Sequence, residues 1–426
     1  MRKILYYLRL LLRPLAPQVL VNYLYHFPKA YLASRIYDNP GSDLEIIGVT
    51  GTDGKTTTST LIYHILKTAR KKVALVSTVD AKIGRKNIKT GFHVTSPNPF
   101  ALQALLRRMR SQKIRYVVLE VTSHGLDQFR IYPLRPKIAV LTNITHEHLD
   151  YHGTFDNYLN AKLKLFKKAE HAVVNKDLDI FKDINAKLHN VLFSTYSLVA
   201  DSQIKPEQIE YLADKTIFTL GGITYTLPLT GTYNLYNALA AISVALLLNI
   251  DSSDIKRAFA SFKGVKGRLE EVANDRGFHL YVDFAHTPNA LANVLQNLRS
   301  KLPKGAKLIA VFGAAGLRDA SKRPLMGKVA GLYADKIVLT SEDPRFEDPK
   351  DIIKQIMSGM TQKQKSKVTI EIDRARAIDI AVNHLASAGD WIVTCGKGHE
   401  ESMNMDGLTE TPWSDHEALL TALNKD

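Results

Sequence analysis

The sequence predicts an α/β protein with a central P-loop-type parallel-sheet domain, a C-terminal Rossmann-like α/β domain and a short helical N-terminal region. Short β-branched runs alternate with helical periods from residue 44 onward, which is typical of a parallel sheet covered on both faces. A glycine-rich loop follows the first run. Because the alternation restarts after a turn at residues 264–268, we expect a helical region at 1–43, a central domain at 44–262 and a smaller domain at 267–426.

The expected elements follow the chain in order. Apolar runs in the central domain predict strands at residues 44–49, 73–78, 116–121 and 138–143. Helical periods predict helices at 56–68, 99–111 and 233–248, the last one long and buried. Segments 216–220 and 224–227 flank Gly221-Gly222 and predict a β-hairpin. The C-terminal domain should contain strands at 280–284, 308–312, 336–340, 368–372 and 391–394.

Composition narrows the class of protein. The chain has 426 residues, a formal net charge of +15 and a single cysteine, Cys395. One cysteine excludes an intrachain disulfide framework and suits a reducing cytoplasm. The positive charge fits nucleic acid, an anionic membrane surface or polyanionic substrates. No zinc-finger spacing, RRM signature or long basic tract supports nucleic acid, so we expect a cytoplasmic protein that does not bind it.

The N-terminus combines basic and apolar residues. Residues 1–12 place Arg2, Lys3 and Arg9 among Leu, Ile and Tyr. The apolar run is too short to span a bilayer, and no small-residue cleavage site marks a signal peptide. Two interpretations remain: a helix packed on the protein body, or a basic interfacial helix on the inner membrane face.

The loop after the first strand carries the strongest chemical signal, Gly48-Val-Thr-Gly-Thr-Asp-Gly-Lys-Thr56. Gly51 and Gly54 permit a tight turn whose N–H groups point at phosphate oxygens. Lys55 supplies positive charge to the β and γ phosphates, and the Thr56 hydroxyl suits Mg²⁺. The helix that starts there directs its positive end at the anion.

Two further strand ends carry polar residues. Glu120 ends one strand, where a carboxylate can bind Mg²⁺ directly or through water. The next strand leads into Thr142-Asn-Ile-Thr-His-Glu-His-Leu-Asp-Tyr-His-Gly153, whose histidines and acids could suggest zinc but have no cysteine partners, so that one histidine serving a second Mg²⁺ is favoured. Lys162 follows, and from the sequence alone it reads as an ordinary surface lysine of a helix.

With these motifs in this order, the chain closely resembles the Mur ligase family, and within it the branch of UDP-N-acetylmuramoyl-tripeptide synthetases, which add the third residue of the peptidoglycan stem peptide. The motifs Thr-Ser-His-Gly-Leu-Asp-Gln-Phe-Arg130, His-Leu-Asp-Tyr-His-Gly153, Asp-Phe-Ala-His-Thr-Pro288, Lys-Arg-Pro-Leu-Met326 and Gly-Lys-Gly-His-Glu400 follow the branch's pattern. The similarity runs from about residue 46 to about residue 400.

The resemblance implies an ATP-dependent ligase of peptidoglycan precursor synthesis. ATP would phosphorylate a carboxylate to an acyl phosphate, which the incoming amine attacks, releasing ADP and phosphate. Thr56 and Glu120 would hold one Mg²⁺, and Glu120 with His148 a second. The lysine that matches Lys162 is carbamylated in the family and serves as a metal ligand. Lys55, Glu120, His148 and Lys162 are therefore the expected catalytic residues.

The resemblance also assigns three binding sets. The ATP-binding set is Thr50, Gly51, Thr52, Asp53, Gly54, Lys55, Thr56, Thr57, Asn234, Arg268, Asp283 and His286. The muramoyl-peptide set is Thr95, Ser96, Ser123, Gln128 and Arg130. The amino-acid set, in the C-terminal domain, is Arg323, Glu342, Asp343, Arg345, Gly396 and Glu400. The expected partners are small-molecule substrates, and we expect a monomer.

The sequence departs from the family pattern at four places. Asp53 replaces the usual asparagine, residues 313–319 read Gly-Ala-Ala-Gly-Leu-Arg-Asp, and residues 342–345 read Glu-Asp-Pro-Arg. Only about 45 residues precede the loop, which suggests a reduced or absent UDP-binding domain. Arg345 can pair with the distal carboxylate of meso-diaminopimelate, which favours this amino acid over L-lysine, although Asp343 would attract an ammonium.

Two alternatives remain open at this level. One is a Mur-like ligase for another carboxylate acceptor, either a lipid-linked muramoyl substrate or a folate-type polyglutamate, because the N-terminal region is short. The other is a non-catalytic nucleotide-binding subunit, because residues 53, 314, 315 and 317 depart from the pattern.

Overall fold

The structure is a computed structural model that describes residues 17–88, 96–145 and 147–425. The expected basic helix at the extreme N-terminus and Thr95 lie outside the described residues. Backbone contacts divide the described chain into two compact units. One comprises residues 17–145 and 152–263, and the other comprises residues 147–151 and 264–425.

The first unit begins with a helical segment, as the sequence predicts. Helix α1 (Gln18–Val21) runs through a π-helical turn (Asn22–His26) into α2 (Phe27–Ile36), and a 3₁₀ turn follows at Pro40–Asp43. Phe27 packs edge-on against Phe129 and Tyr132, with ring centroids 5.3 and 5.2 Å away. The Asn22 side chain donates a 2.6 Å hydrogen bond to Asp127. These contacts fix the segment to the body of the unit.

The centre of this unit is an eight-stranded sheet. Its strands are β1 (Glu45–Thr50), β2 (Val73–Val76), β3 (Ala81–Ile83), β4 (Lys86–Ile88), β5 (Tyr116–Glu120), β6 (Ile138–Leu141), β7 (His171–Asn175) and β8 (Leu192–Tyr196). The strand order is β4-β3-β2-β5-β1-β6-β7-β8, parallel except for the β3–β4 hairpin at one edge. Strand β1 lies between β5 and β6, so their carboxyl ends meet at one edge.

Helices and a small second sheet complete the unit. The helices of this unit are α3 (Lys55–Thr68), α4 (Pro99–Ser111), α5 (Ser123–Asp127), α7 (Phe155–Leu163), α8 (Phe181–Lys187), α9 (Thr232–Leu247) and α10 (Ser252–Ala260). Helix α6 (Leu149–His152) belongs by most of its residues to the second unit. The small antiparallel sheet contains β9 (Gln208–Tyr211), β10 (Thr216–Leu220) and β11 (Ile223–Leu227). Strands β10 and β11 form the predicted hairpin around Gly221-Gly222. Helix α9 is almost wholly buried, as expected from its apolar sequence.

The second unit is built on a six-stranded sheet. Its strands are β12 (Glu270–Val272), β13 (His279–Asp283), β14 (Leu308–Phe312), β15 (Lys336–Leu339), β16 (Val368–Ile370) and β17 (Trp391–Cys395). The order is β12-β13-β17-β14-β15-β16, with only β12 antiparallel. A β18–β19 hairpin (Ser402–Asn404, Glu410–Pro412) follows. The helices are α11 (Pro288–Arg299), α12 (Lys322–Tyr333), α13 (Pro349–Ser358), α14 (Gln362–Lys365), α15 (Arg374–Asp379) and α16 (Asp415–Leu423).

The predicted fold class is confirmed. The predicted strands and long helices are present with bounds shifted by at most two residues, and the strand at 308–312 and the helix at 99–111 match fully. The prediction missed β7, β8, β9 and β12, together with the short hairpins. These strands are short or rich in polar residues, so hydrophobic periodicity does not mark them.

A buried ion pair ties α15 to α16. The Arg374 guanidinium contacts the Asp415 carboxylate at 2.6 and 2.8 Å, and both side chains are fully buried. Arg374 also donates to the carbonyl oxygens of Ser341 and Cys395, which follow β15 and end β17. The pair therefore holds the ends of β15 and β17, which lie on either side of β14 in the second sheet.

We predict that Asp415→Asn lowers the free energy of unfolding of the second unit by about 3–5 kcal/mol, because it leaves a buried guanidinium without its counter-charge. Trp391 and Trp413, the two tryptophans of the chain, both lie in this unit, so urea unfolding followed by tryptophan fluorescence reports on it. Asp351→Asn, which breaks the exposed pair with Lys354, is the control and should cost less than about 1 kcal/mol. Equal losses in the two variants would contradict the assignment.

Candidate functional site

The glycine-rich loop joins the end of β1 to the start of α3. Gly54 precedes the helix with φ +79°, and Gly51 has φ +153°. A Cβ atom on Gly51 would collide with the Thr142 hydroxyl, and one on Gly54 would collide with the Asn237 side chain. The loop therefore fits between the end of β6 and helix α9 only because both positions are glycine.

Two further contacts hold the loop from the β6 side. The Asp53 N–H donates to the Asn143 side chain at 2.8 Å, and the Thr142 hydroxyl donates to the Asp53 carbonyl at 2.6 Å. Both contacts use the Asp53 backbone, so the loop's conformation does not depend on having asparagine at this position. The half-buried Lys55 ammonium donates to the carbonyls of Gly51 and Thr52 at 3.1 and 2.8 Å. A positive charge is thus located on the loop itself, as phosphate binding requires.

Glu120 and Thr56 meet beside the loop. The Glu120 carboxylate ends β5 and is 1% exposed, and its two oxygens accept from the Thr56 hydroxyl at 3.2 and 3.1 Å. The backbone N–H and hydroxyl of Thr78 also donate to it, at 3.0 and 2.9 Å. A carboxylate and a hydroxyl in contact are hard oxygen donors of the kind Mg²⁺ prefers, so the pair fits this ion.

The environment of Lys162 differs most from what the sequence alone predicted. It is not a surface lysine: its side chain is 2% exposed, and its ammonium donates to the Gly51 carbonyl at 2.7 Å. The ammonium also lies 4.5 Å from the centre of the Tyr158 ring. The Tyr158 hydroxyl in turn contacts the Thr52 hydroxyl at 2.9 Å. Helix α7 therefore presents both side chains to the phosphate loop.

His148 belongs by its contacts to the second unit, and its backbone has φ +57°. Its neighbour Glu147 is buried and pairs with Lys322 of α12 at 3.2 Å. Burial alone would raise the pKa of Glu147, but Lys322, His148 and His286 lower this pKa to about 2. Sequence analysis did not predict this ion pair, whose partners lie 175 residues apart. Among the described residues, no cluster of three His, Cys, Asp or Glu side chains suits a metal ion.

The remaining residues of the predicted ATP set occupy separate places. In the first unit, Asn234 is buried in α9 and donates to the Thr230 carbonyl at 2.9 Å. In the second unit, the Asp283 carboxylate accepts backbone N–H groups of Leu269 and Ala285 at 2.6 and 2.7 Å. The Arg268 guanidinium lies 4.5 Å from the centre of the Phe284 ring.

His286 completes this group in the second unit. Burial, together with the nearby positive charge of Lys322, lowers its pKa to about 4. Its imidazole ring is therefore neutral at physiological pH.

The predicted muramoyl-peptide residues within the described chain come together after β5. Arg130 donates to the Ser96 carbonyl at 2.8 Å, and its Nε and Nη2 atoms donate to the Gln128 side chain at 3.0 and 2.7 Å. The Ser123 hydroxyl is buried and has no hydrogen-bond partner among the described residues. Arginine, amide and hydroxyl groups at one sheet edge suit a polar, anionic ligand.

Glu342 is the most perturbed carboxyl of the predicted amino-acid set. Burial raises its pKa to about 7, although Lys322, Arg374 and Lys397 act in the opposite direction. A Cβ atom on Gly396, which has φ +106°, would collide with the Glu342 carboxyl group. Close approach to Glu342 therefore accounts for the glycine.

Asp343 and Glu400 both pair with one buried lysine that the sequence analysis did not single out. The Lys397 ammonium contacts Asp343 at 3.0 Å and Glu400 at 2.5 Å. The backbone N–H of Asn404 also donates to Asp343, at 2.9 Å. The negative charge of Asp343 therefore has a counter-charge within the fold.

The arginines of the predicted amino-acid set differ in their surroundings. Arg323 is buried and donates to Glu347 and Gln355 at 2.7 Å each. Arg345 donates to the Gly316 carbonyl at 3.0 Å. Arg318, which the sequence analysis did not select, lies near it: burial and the positive charge of Arg345 lower the pKa of Arg318. Two neighbouring guanidinium groups favour an anion between them.

Comparisons with known proteins show the family to which the chain is similar. A family model described as Mur ligase middle domain matches residues 49–245, and one described as Mur ligase, glutamate ligase domain matches residues 267–398. The chain is 40% identical over 380 residues to UDP-N-acetylmuramoyl-L-alanyl-D-glutamate--2,6-diaminopimelate ligase of Syntrophomonas wolfei subsp. wolfei, covering 87% of this chain and 76% of that protein. It is 39% identical over 398 residues to the protein of the same name from Aquifex aeolicus, covering 92% and 80%.

Solved structures show the same relation. A structure of UDP-N-acetylmuramoyl-L-alanyl-D-glutamate--2,6-diaminopimelate ligase superposes with a TM-score of 0.61 at 30% identity, covering 96% of this chain and 83% of that one. Folylpolyglutamate synthase of Mycobacterium tuberculosis superposes with a TM-score of 0.71 at 17% identity, covering 94% and 95%. At that identity the second likeness concerns the fold alone.

We predict that Glu342 contributes stability to the second unit that is lost as the pH rises from about 4.5 to 7, and that Glu342→Gln removes this pH-dependent contribution. The folded protein keeps the Glu342 proton up to about pH 7, whereas the unfolded chain releases it near its usual value of 4.5. Because the folded state binds more protons in this window, raising the pH favours unfolding. The stability difference between variant and wild type should grow by on the order of 2 kcal/mol across the window, measured by urea unfolding at several pH values. A constant difference would contradict the prediction.

Proposed function

Since the chain belongs to the Mur ligase family and is thereby an ATP-dependent carbon–nitrogen ligase, we propose that it joins 2,6-diaminopimelate to UDP-N-acetylmuramoyl-L-alanyl-D-glutamate. The observation that carries the proposal is the phosphate loop, with the buried groups Thr56, Glu120 and Lys162 around it. The names of the relatives described above supply the two substrates. The proposed reaction belongs to peptidoglycan precursor synthesis.

In the proposed reaction the γ-phosphoryl group passes from ATP to the terminal carboxylate of the acceptor. The acyl phosphate then reacts with the amine of diaminopimelate, which forms the amide bond and releases phosphate. Lys55 offsets the negative charge that builds up between ATP and the carboxylate. His286 and Asp283 would contact the nucleotide from the second unit.

We propose that the cofactor is Mg²⁺ bound in two places. Thr56 and Glu120 would hold one ion, and Glu120, His148 and a carbamate on Lys162 would hold the other. Mg²⁺ would neutralise phosphate oxygens during the transfer. The buried position of Lys162 supports the carbamate, because modification would turn a cation against the loop into an anionic oxygen ligand.

The C-terminal amino-acid set supports diaminopimelate over lysine. Asp343 already pairs with Lys397, so it is not a free carboxylate that would attract a substrate ammonium. Arg345, with Arg318 nearby, would instead bind the distal carboxylate. Ser96, Ser123, Gln128 and Arg130, with Thr95, would hold the muramoyl peptide.

The proposal also covers the domain organisation, oligomeric state and localisation of the protein. We propose a ligase domain at 44–262 and an amino-acid domain at 267–426, preceded by an N-terminal region at 1–43. We also propose a cytoplasmic monomer whose first residues contact an anionic membrane.

The substrate proposal predicts amino-acid-dependent phosphate release from ATP with UDP-N-acetylmuramoyl-L-alanyl-D-glutamate as acceptor. Release should be faster with meso-diaminopimelate than with L-lysine, because only the former offers a distal carboxylate to Arg345. A folate-type acceptor, a lipid-linked acceptor and a Lys55→Ala variant are the controls. No release with any amino acid would exclude the proposed ligase, and release only with another acceptor would exclude the UDP-linked substrate.

We predict that Lys162→Ala lowers the ligase rate roughly a hundredfold, because it removes the proposed metal ligand. Small carboxylic acids should restore part of the rate by replacing the carbamate. Lys164→Ala is the matched control: this lysine is exposed and pairs with Asp127, so its loss should change the rate by less than about twofold. An unchanged rate for Lys162→Ala would remove the carbamate from the mechanism.

A further inference from the structure

The N-terminal helical segment exposes an unusual concentration of large apolar side chains. Eight of the seventeen large apolar residues that are exposed in the described chain lie between Gln18 and Ile36, each 48–70% exposed. We call them the N-terminal apolar face: Val19, Leu20, Tyr23, Leu24, Tyr25, Tyr31, Leu32 and Ile36. An exposed cluster of this kind marks an interaction surface.

The π-helical turn helps to collect these residues on one side. Its extra residue offsets the positions that follow by roughly 100° relative to a continuous α-helix. The side turned to the protein body then carries small or polar buried residues, Asn22, Ala30, Ala33 and Ser34. The large apolar residues lie away from that side. The sequence therefore places its small residues inward and its apolar residues outward, the reverse of an ordinary surface helix.

The contacts that attach the segment to the protein body leave most of the N-terminal apolar face exposed. The hydrogen bond from Asn22 to Asp127 and the packing of Phe27 against Phe129 and Tyr132 hold the helix in place. Within the face, Tyr23 and Tyr31 also contact this aromatic cluster. Leu20 and Leu24, 50% and 70% exposed, are available to another surface.

Charge indicates what that surface is. Residues 1–37 contain no Asp or Glu but six basic residues: Arg2, Lys3, Arg9, Arg13, Lys29 and Arg35. Arg35 is exposed next to the apolar face, and the Lys29 ammonium lies 5.7 Å from the centre of the Tyr25 ring. Asp38 and Asp43, which follow the helix, pair with Arg110. A second copy of this face would bring like charges together, whereas an anionic surface would be attracted.

We propose that the N-terminal apolar face binds an anionic lipid bilayer, lying in its interface with Leu20 and Leu24 inserted and Lys29 and Arg35 at the headgroups. Tyrosines beside such residues suit this depth, where one end of the ring is apolar and the other meets water. Among the described residues, no helix is long and apolar enough to cross a membrane. The surface is structurally defined, distinct from residues 1–14 and independent of the ligase reaction.

The test is flotation of the full chain with vesicles of phosphatidylcholine, with and without phosphatidylglycerol. Wild type should partition onto the anionic vesicles. Leu20→Gln with Leu24→Gln should lower the partition coefficient about tenfold or more, since glutamine keeps the helix but loses apolar burial. The matched control replaces Leu192 and Val199, 69% and 78% exposed, with glutamine and should bind as wild type does.

A second pair of changes tests the charge. Lys29→Gln with Arg35→Gln should weaken binding about fivefold for each cation removed, and only on anionic vesicles. Wild-type binding by the Leu20, Leu24 variant, or no vesicle binding by the wild type, would overturn the proposal. So would self-association that this variant abolishes, since a second copy would then be the occupant. The variant's ligase rate in solution should equal that of the wild type, which separates this proposal from the proposed reaction.

Discussion

Contact of the buried Lys162 ammonium with the Gly51 carbonyl is the interaction around which the first site is arranged. A buried cation is stable only when polar groups compensate its lost hydration. Here the Gly51 carbonyl and the Tyr158 ring face do so, and the Tyr158 hydroxyl extends the contact to Thr52. The lysine thus connects helix α7 to the loop that follows β1. A change in the charge of this one side chain would be felt directly by the backbone that binds phosphate.

The second unit uses an ionic group in a comparable place. Arg374 lies at the carboxyl ends of β15 and β17, bound both to Asp415 and to the backbone of Ser341 and Cys395. The residues that follow these two strand ends, Glu342 and Gly396, are in close contact. In both sheets, therefore, a buried cation connects a helix to the edge where ligand-binding residues of parallel α/β folds are found. This accounts for the concentration of buried charge at these strand ends rather than in the apolar cores.

The sequence predicted most of the fold because β-branched runs and helical periods are long and regular in both sheets. It could not reveal which lysine near the end of α7 is buried: Lys162, inside the helix, is buried, whereas Lys164, just after it, is exposed. The long-range ion pairs could not be predicted either. Glu147–Lys322 and Asp343–Lys397 join residues far apart in the chain, and only the fold brings them into contact. The exposed apolar face before β1 could be identified only from the structure. A π-helical turn interrupts the α-helical period there, so the spacing of the apolar residues in the sequence does not show which side of the helix they occupy.

We propose above that the acceptor carboxylate is activated at the phosphate loop by transfer of the γ-phosphoryl group of ATP. The most direct measurement is the fate of ¹⁸O placed in the acceptor's terminal carboxylate, followed by mass spectrometry of the phosphate released during amide formation. We expect one labelled oxygen to appear in inorganic phosphate, because the bond between the carboxylate oxygen and phosphorus survives when the amine attacks the carbonyl carbon. Unlabelled phosphate during amide formation, or label in AMP, would exclude an acyl phosphate formed by γ-phosphoryl transfer.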